Sequence, residues 1–397
     1  MVYDAVIIGG GACGLMCGVE AGKLGKKVII LERNDKPGAK ILISGGGRCN
    51  YTNLYSTSKN FISQDEHFSE PAFSQWTVKD TIDFFESNRI YGQEKTLGQL
   101  FPVTNKAKDV VAVFVNLLIR YKVDLQLNAL VNEVAKNDDG LFELSCEIEG
   151  RKTKLKSKSV VMASGGLPVH KLGASDFALR VARKFNIGVT ETAPGLVPLT
   201  ITGKDAEWFT ALSGNSVFST VSTKTISFQE NILFTHWGLS GPAILQISSY
   251  VKPGEEIEVN LLPTQSITEI IAKERAEGGK RLLIHILNDH FTKRFAEALG
   301  KYLPIDTKIA SLSKKDAKLV KDTIHHFKVK IAGNKGYDKA EVMLGGVSTT
   351  ELNPETLEAL KVPGLYFGGE CVDVTGWLGG YNFQWAWASG VVIARAL

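Results

Sequence analysis

Three glycines near the start of the chain, Gly9, Gly11 and Gly14, stand at the spacing G-x-G-x-x-G, and the acidic residue Glu32 lies further on. Gly9 permits a tight turn. Gly11 lets the backbone approach a pyrophosphate, and Gly14 lets a helix pack closely on a sheet. A helix opening here would aim its free N–H groups and its positive end at phosphates, while Glu32 would hydrogen-bond a ribose hydroxyl. The chemistry is dinucleotide binding, with FAD or NAD(P) as the ligand. The elements that must position these residues are legible around them. Tyr3 to Ile8 is an apolar run of strand character, Leu15, Met16, Val19 and Leu24 recur at helical spacing, and Lys27 to Leu31 reads as a second strand ending in Glu32. Together they predict a βαβ unit.

Two further stretches carry chemistry. Ser44-Gly-Gly-Gly-Arg-Cys-Asn50 puts three consecutive glycines beside Ser44, Arg48 and Asn50. Backbone at Gly45 and Gly46 can lie against a ligand, and Arg48 can reach a phosphate or a flavin carbonyl. Near the C-terminus, Pro363-Gly-Leu-Tyr-Phe-Gly-Gly-Glu370 is an apolar strand ending in an acid, which suits a carboxylate bonded to a ribityl hydroxyl. Gly379 and Gly380 then open a helix beginning near Tyr381, Asn382 and Phe383. Its N-terminus would face the electron-rich N1/C2=O side of a flavin and stabilise the reduced anion. A nicotinamide domain has no need of this second site, so the pair favours FAD. Ser164 and Gly165 end another buried strand and pass close to the dinucleotide. Ala12, Arg33, Lys40 and Gly369 adjoin these motifs and complete the candidate cofactor contacts; no metal ligands are assigned.

The five cysteines, Cys13, Cys17, Cys49, Cys146 and Cys371, are scattered. Cys49 has no cysteine partner nearby, which argues against dithiol chemistry. Cys13 and Cys17 read as small buried side chains beside a sheet. His236, in Leu233-Phe-Thr-His-Trp-Gly-Leu-Ser-Gly-Pro242, is the best titratable catalytic candidate, although a lone histidine beside Trp237 also fits a structural role. Arg48, Asn50 and Tyr381 are candidates to hold a substrate carbonyl. Trp377, Trp385 and Trp387 could wall an amine cation, but the helical spacing of the last two favours the core.

Helical spacing also predicts elements over 77–88 and 107–121. Residues 123–134 and 141–148 read as strands around the turn Asp138-Asp-Gly140, with an exposed strand at 152–158 and a buried one over 159–166 that ends in glycines. Ser175 and Asp176 are expected to cap a helix. Residues 199–262 are rich in Thr, Ser, Val and Ile and read as mostly β. From Thr264 to about Phe327 the pattern is helical, with Leu282, Leu283, Ile286 and Leu287 as an apolar stripe.

The 397 residues suffice for two or three domains, and 44% hydrophobic with 22% charged residues is ordinary for a globular chain. A net charge of +4 is too small to argue for nucleic acid or a membrane. Residues 301–330 hold eight lysines against three aspartates, which reads as a solvated helix face. No apolar run spans a bilayer, and no charged-then-apolar leader precedes the first strand, so a cytoplasmic protein with reduced thiols is expected.

The chain resembles the HI0933-like, or YhiN-like, flavoproteins. The resemblance rests on Gly9 to Gly14 with Glu32, Ile43-Ser-Gly-Gly-Gly-Arg-Cys-Asn50, Leu196-Val-Pro-Leu199, Phe234-Thr-His-x-Gly-Leu-Ser-Gly-Pro242, Gly345-Gly-Val347, and Gly364 through Asn382. It implies an α/β fold, a glutathione-reductase-like, Rossmann-like FAD domain (1–193 and 335–397). A mostly-β domain (194–263 and 328–334) is inserted in it, and a small helical domain (264–327) in that. It also implies FAD contacts at Glu32, Arg48, the Val131 backbone on the adenine side, Glu370 and Phe383. Trp377-Leu378 departs from the Pro-Thr that many members carry before the double glycine.

The family includes an aminoacetone oxidase and, more distantly, a bile-acid enone reductase. The resemblance therefore implies a FAD-dependent oxidoreductase that oxidises a small amine or α-amino ketone with oxygen as acceptor. A flavin-dependent enone reductase, with electrons from NAD(P)H bound without a domain of its own, is the alternative. A FAD-containing RNA- or protein-binding module is a third class; the lysines of the helical stretch lack interleaved aromatics, which argues against nucleic acid.

Overall fold

The computed structural model describes residues 2–397, so the expected domain start at Met1 lies outside the described residues. The chain forms two compact units. The first runs to Ala193 and resumes at Val342–Leu397; the second is Pro194–Glu341.

The first unit is built on a sheet whose central strands are parallel. Its order is Asp124–Gln126, Val28–Leu31, Val2–Ile8, Arg151–Met162, Phe142–Ile148, Ala129–Lys136, with Leu365–Phe367 also paired to Arg151–Met162. All four residues of Val28–Leu31 are buried, as expected of a strand covered on both faces. The two strands expected at 152–158 and 159–166 are one strand, Arg151–Met162, which ends before the glycines. Its first half pairs antiparallel with Phe142–Ile148 and its end pairs parallel with Leu365–Phe367. Burial changes with the partner, from alternating to fully buried, and this change imitates an element boundary.

Two helices cover the sheet near the glycine turn. Ala12–Lys23 is buried through most of its length and packs against the C-terminal helix Tyr381–Ala396. Gly390 makes that approach possible, since a Cβ there would lie 2.6 Å from the Cys13 carbonyl oxygen. Trp385 and Trp387 are core residues; their indole N–H groups donate to the carbonyls of Gly369 (3.0 Å) and Tyr51 (2.8 Å). Truncating either to alanine would cost about 3–5 kcal/mol. A small antiparallel sheet, Thr52–Asn53, Gln99–Pro102 and Gly92–Glu94, also belongs to this unit.

The second unit holds an antiparallel sheet ordered Phe327–Lys330, Glu256–Asn260, Ser216–Ser222, Ser227–Thr235, Gly238–Ser240, Leu199–Thr200, Gly333–Asn334. Its strands alternate in burial, Val217, Ser219 and Val221 pointing inward from Ser216–Ser222, so one face packs and the other meets solvent. Helices occupy the expected helical stretch. Ile267–Ala276 is capped by Ser266, and Lys314–His325 by a reciprocal Ser313–Asp316 box. His325 Nε2 accepts from the Ile267 amide (3.0 Å) while Nδ1 meets Asn260 Oδ1 (2.9 Å), and burial holds its pKa low, so it is a neutral structural histidine. Within this unit we propose the finer division into a β part (194–263, 328–334) and a helical part (264–327).

Candidate functional site

Three parallel strands end side by side in the first unit, and each runs into glycine. Gly9 follows Val2–Ile8, Ser164 and Gly165 follow Arg151–Met162, and Gly368 and Gly369 follow Leu365–Phe367. The backbone ties them together: Ala163 N–H donates to Ile8 O (2.9 Å), Gly368 N–H to Met162 O (3.0 Å) and Gly9 N–H to Leu31 O (2.9 Å). In open α/β sheets the crevice at these carboxyl ends is where ligands bind.

The glycine turn fits a dinucleotide. At Gly9 (φ 112°) a Cβ would stand 2.3 Å from Ala163 O, and at Gly14 one would stand 1.9 Å from Gly9 O. A Cβ at Gly11, by contrast, would meet nothing within 4 Å. Gly11 is the N-cap of Ala12–Lys23, with no side-chain cap and no acid in the first turn, so the protein leaves the helix's free N–H groups to a ligand. Glu32 is buried and its carboxylate accepts from the amides of Gly10 (2.7 Å) and Asn34 (2.8 Å). A carboxylate has about four lone-pair positions, which leaves capacity for sugar hydroxyls.

On the opposite side of the crevice Glu370 accepts from Lys40 Nζ (2.6 Å) and from the Met343 amide (3.2 Å), and its oxygens lie near Gly165 and Gly166. Ser164 Oγ is buried and has no hydrogen-bond partner, which marks a polar position that the protein does not satisfy by itself. Gly45, Gly46 and Gly47 follow one another in left-handed backbone (φ 55°, 69° and 81°), which breaks the helix Ala39–Gly47 and leaves these glycines exposed. Arg48 is exposed beside them; its Nε donates to Gly45 O (2.7 Å) and its guanidinium covers the Phe101 ring at 5.3 Å. Gly380 (φ 101°) opens Tyr381–Ala396 and a Cβ there would lie 2.4 Å from Thr52 O.

The remaining candidate residues have the following partners. Asn382 is committed to Gly376: its Oδ1 accepts from the Gly376 amide (2.8 Å) and its Nδ2 donates to the Gly376 carbonyl (2.8 Å), so it shapes the 376–380 turn. Asn50 is buried; its Nδ2 donates to Gln99 Oε1 (3.2 Å), while its Oδ1 is buried without a hydrogen-bond partner. Arg33 is exposed and donates to Gly173 O (3.2 Å). Val131 is buried at a strand irregularity. Ala129, which opens that strand, donates its amide to Glu32 O (2.9 Å) and so brings the strand beside Glu32. Phe383 stacks on Trp387 (5.6 Å, 14°), and Tyr381 is buried with its ring edge-on to Phe61 (6.3 Å). His236 belongs to the second unit, on the turn between Ser227–Thr235 and Gly238–Ser240, where its exposed ring packs on Trp237 (4.0 Å).

All five cysteines are free and buried. Burial pushes the thiols of Cys13 and Cys49 up from 9.0 to about 12, which leaves them neutral and unreactive.

Gln99, Asn53 and Phe101 were not anticipated. Asn53 Nδ2 donates to Gly379 O (2.9 Å), Gln99 packs against Gly379, and Phe101 packs against Gly45. The signal was present: Leu97-Gly98, both with positive φ (51° and 75°), turns the chain just before the apolar run Leu100-Phe-Pro102.

This arrangement is that of a Rossmann-type dinucleotide-binding unit interrupted by a second, largely antiparallel unit. The HI0933-like protein Rossmann domain matches residues 3–396, and the chain belongs to that family. It is 42% identical over 397 residues to the ribosomal RNA dihydrouridine synthase of Escherichia coli (strain K12), covering 100% of this chain and 98% of that one. It is 27% identical to the 3-dehydro-bile acid delta(4,6)-reductase of Clostridium scindens, covering 98% of each. Among solved structures, the 3-ketosteroid-delta4-(5alpha)-dehydrogenase of Rhodococcus jostii RHA1 shares the fold at a TM-score of 0.52 and 12% identity, over 99% of this chain and 96% of that one.

Proposed function

We propose that this protein is a FAD-dependent reductase of a carbon–carbon double bond conjugated to a carbonyl, and that its substrate is uridine in ribosomal RNA. The observation that carries this reading is the full-length match to a relative named for making dihydrouridine. Uridine and dihydrouridine differ by two hydrogens across a double bond conjugated to a carbonyl. The more distant relative, named a bile acid reductase, points to the same type of bond. Oxidation of aminoacetone, the other expectation, has no such support.

The residues fit FAD at both ends. The uncapped helix at Gly11 and the buried Glu32 would hold the pyrophosphate and the adenosine ribose. Glu370 with Lys40, the unsatisfied Ser164 Oγ and the Gly379–Gly380 turn would hold the flavin half. When bound, FAD supplies the hydride. The Arg48 guanidinium, of which only Nε is engaged by Gly45 O, donates to the substrate carbonyl and polarises the double bond. NAD(P)H bound without a dedicated domain is the reductant in this reading.

The test is to incubate the FAD-loaded protein with NADPH and deproteinised ribosomal RNA from cells lacking dihydrouridine, then digest the RNA to nucleosides for mass spectrometry. Dihydrouridine is the expected product. Its absence, with peroxide formed from aminoacetone and air instead, would replace this reading with the oxidase.

A further inference from the structure

The small sheet beside the Gly379 turn presents one face with an unusual composition. Strands alternate, so Gln99, Phe101 and Val103 share a face, and antiparallel pairing brings Tyr91, Gln93 and Lys95 onto it from the neighbouring strand. At its inner end Gln99 packs on Gly379. Next to it the Phe101 ring carries two cations, Lys95 Nζ at 4.4 Å and the Arg48 guanidinium at 5.3 Å from its centroid. Neither cation has a carboxylate partner among the described residues. The nearest acid in the strand, Glu94, turns to the Gly98 amide (3.0 Å). Lys95 is held in place by Asn105 Oδ1; desolvation, with repulsion from Arg48, lowers its pKa. At the outer end Tyr91 (57% exposed) and Val103 (50% exposed) stand opposite each other, joined by the Val103 amide on Tyr91 O (2.9 Å). From Gln99 to Val103 the strip extends roughly 13 Å at about 3.3 Å per residue.

Two like charges over one ring with no acid between them favour an anion, and an exposed tyrosine beside them offers a flat face for stacking. A single-stranded polynucleotide supplies both, a phosphate and a base, at adjoining positions. Resting on the RNA-substrate reading above, we propose that this strip binds the strand next to the reactive uridine: Lys95 holds a backbone phosphate, Arg48 beside it stays on the uracil carbonyl, and Tyr91 stacks on the neighbouring base.

The FAD-loaded protein is titrated into a short fluorescein-labelled single-stranded oligouridylate over a series of KCl concentrations. Lys95→Gln and Tyr91→Ala are compared with wild type, and dihydrouridine formation on deproteinised ribosomal RNA is measured for all three. Loss of one phosphate contact should flatten the slope of log affinity against log salt by about 0.7 in Lys95→Gln. Tyr91→Ala should weaken binding about 10-fold, as expected for one lost base stack. Flavin content and absorbance should stay as in wild type, and Lys95→Arg should restore the slope. If wild type reduces uridine but both variants bind with its affinity and slope, the strip assignment is wrong and the substrate reading stands. If wild type neither binds the oligonucleotide nor reduces uridine, both fall. A Lys95→Gln effect confined to the KM for NADPH would assign Lys95 to the dinucleotide and overturn the phosphate contact.

Discussion

Both units carry a glycine-rich turn, and the surroundings of the glycines differ. In the second unit Gly238 and Gly241 sit against protein. A Cβ at Gly238 would lie 2.4 Å from Leu199 O, and one at Gly241 would lie 2.8 Å from Asn231 O. The conformation and packing of the sheet account for both. In the first unit Gly9 and Gly14 are equally crowded, but Gly11 faces nothing within 4 Å, and Gly46 meets only the end of the Arg48 side chain at 4.0 Å. A glycine with no protein neighbour, at the uncapped start of a helix, has its reason outside the chain. Openness alone is not the mark, since Gly140 and Gly254 are equally open but take left-handed backbone (φ 80° and 92°); Gly11, at φ −82°, has neither a steric nor a conformational reason within the chain.

Substitutions sharpen that contrast. Gly14→Val should have the largest effect: its side chain would collide with the Gly9 backbone, and a loss of about 4 kcal/mol or more would leave little folded protein in a soluble-expression and circular-dichroism comparison. Gly11→Val should instead fold, with a Tm within about 2 °C of wild type as apoprotein. It should bind flavin at least ~100-fold more weakly, about 2.7 kcal/mol, by fluorescence titration. If Gly11→Val unfolds and Gly14→Val does not, the distinction between open and crowded glycines is wrong. Gly238→Ala should lower the Tm, at about 2 kcal/mol of stability, while the purified protein keeps its full flavin content.

The buried thiols give a smaller effect with a definite sign. Cys13 and Cys49 are raised from 9.0 to about 12 by burial, so folding favours their neutral form. That contribution is complete below pH 9.0 and is lost as pH rises toward about 12. Urea midpoints should therefore fall between pH 9 and the onset of alkaline unfolding. Replacing either residue by alanine should reduce the slope. At neutral pH the native protein should react with Ellman's reagent only after denaturant is added.

The parts that were legible in the sequence are local. The βαβ unit announces itself because the turn, the helix and the acid at Glu32 lie within one continuous stretch, and each residue type has a steric or electrostatic reason. The glycines at 45–47 and 379–380 were legible for the same reason. What was not legible depends on distant partners. Thr52–Asn53 is a strand only because it pairs with Gln99–Leu100, and nothing in two residues predicts it. Arg151–Met162 looked like two elements because its neighbours change halfway along. The motif at Asn382 points to a ligand contact, but its amide is engaged by the Gly376 backbone, and whether an amide faces a ligand or the backbone is decided by the fold around it. The net charge of +4 is too small to argue for nucleic acid, and a whole-chain sum carries no information on two cations stacked on one ring.

The most direct measurement follows the flavin band under anaerobic conditions. The protein with bound flavin is bleached with a stoichiometric amount of NADPH and then mixed with deproteinised ribosomal RNA lacking dihydrouridine. Return of the yellow band without oxygen, matched by an equal amount of dihydrouridine in the RNA, is the predicted result. A bleached flavin that ignores the RNA and recovers only on admitting air, together with bleaching by aminoacetone, would contradict it and make the protein an amine oxidase.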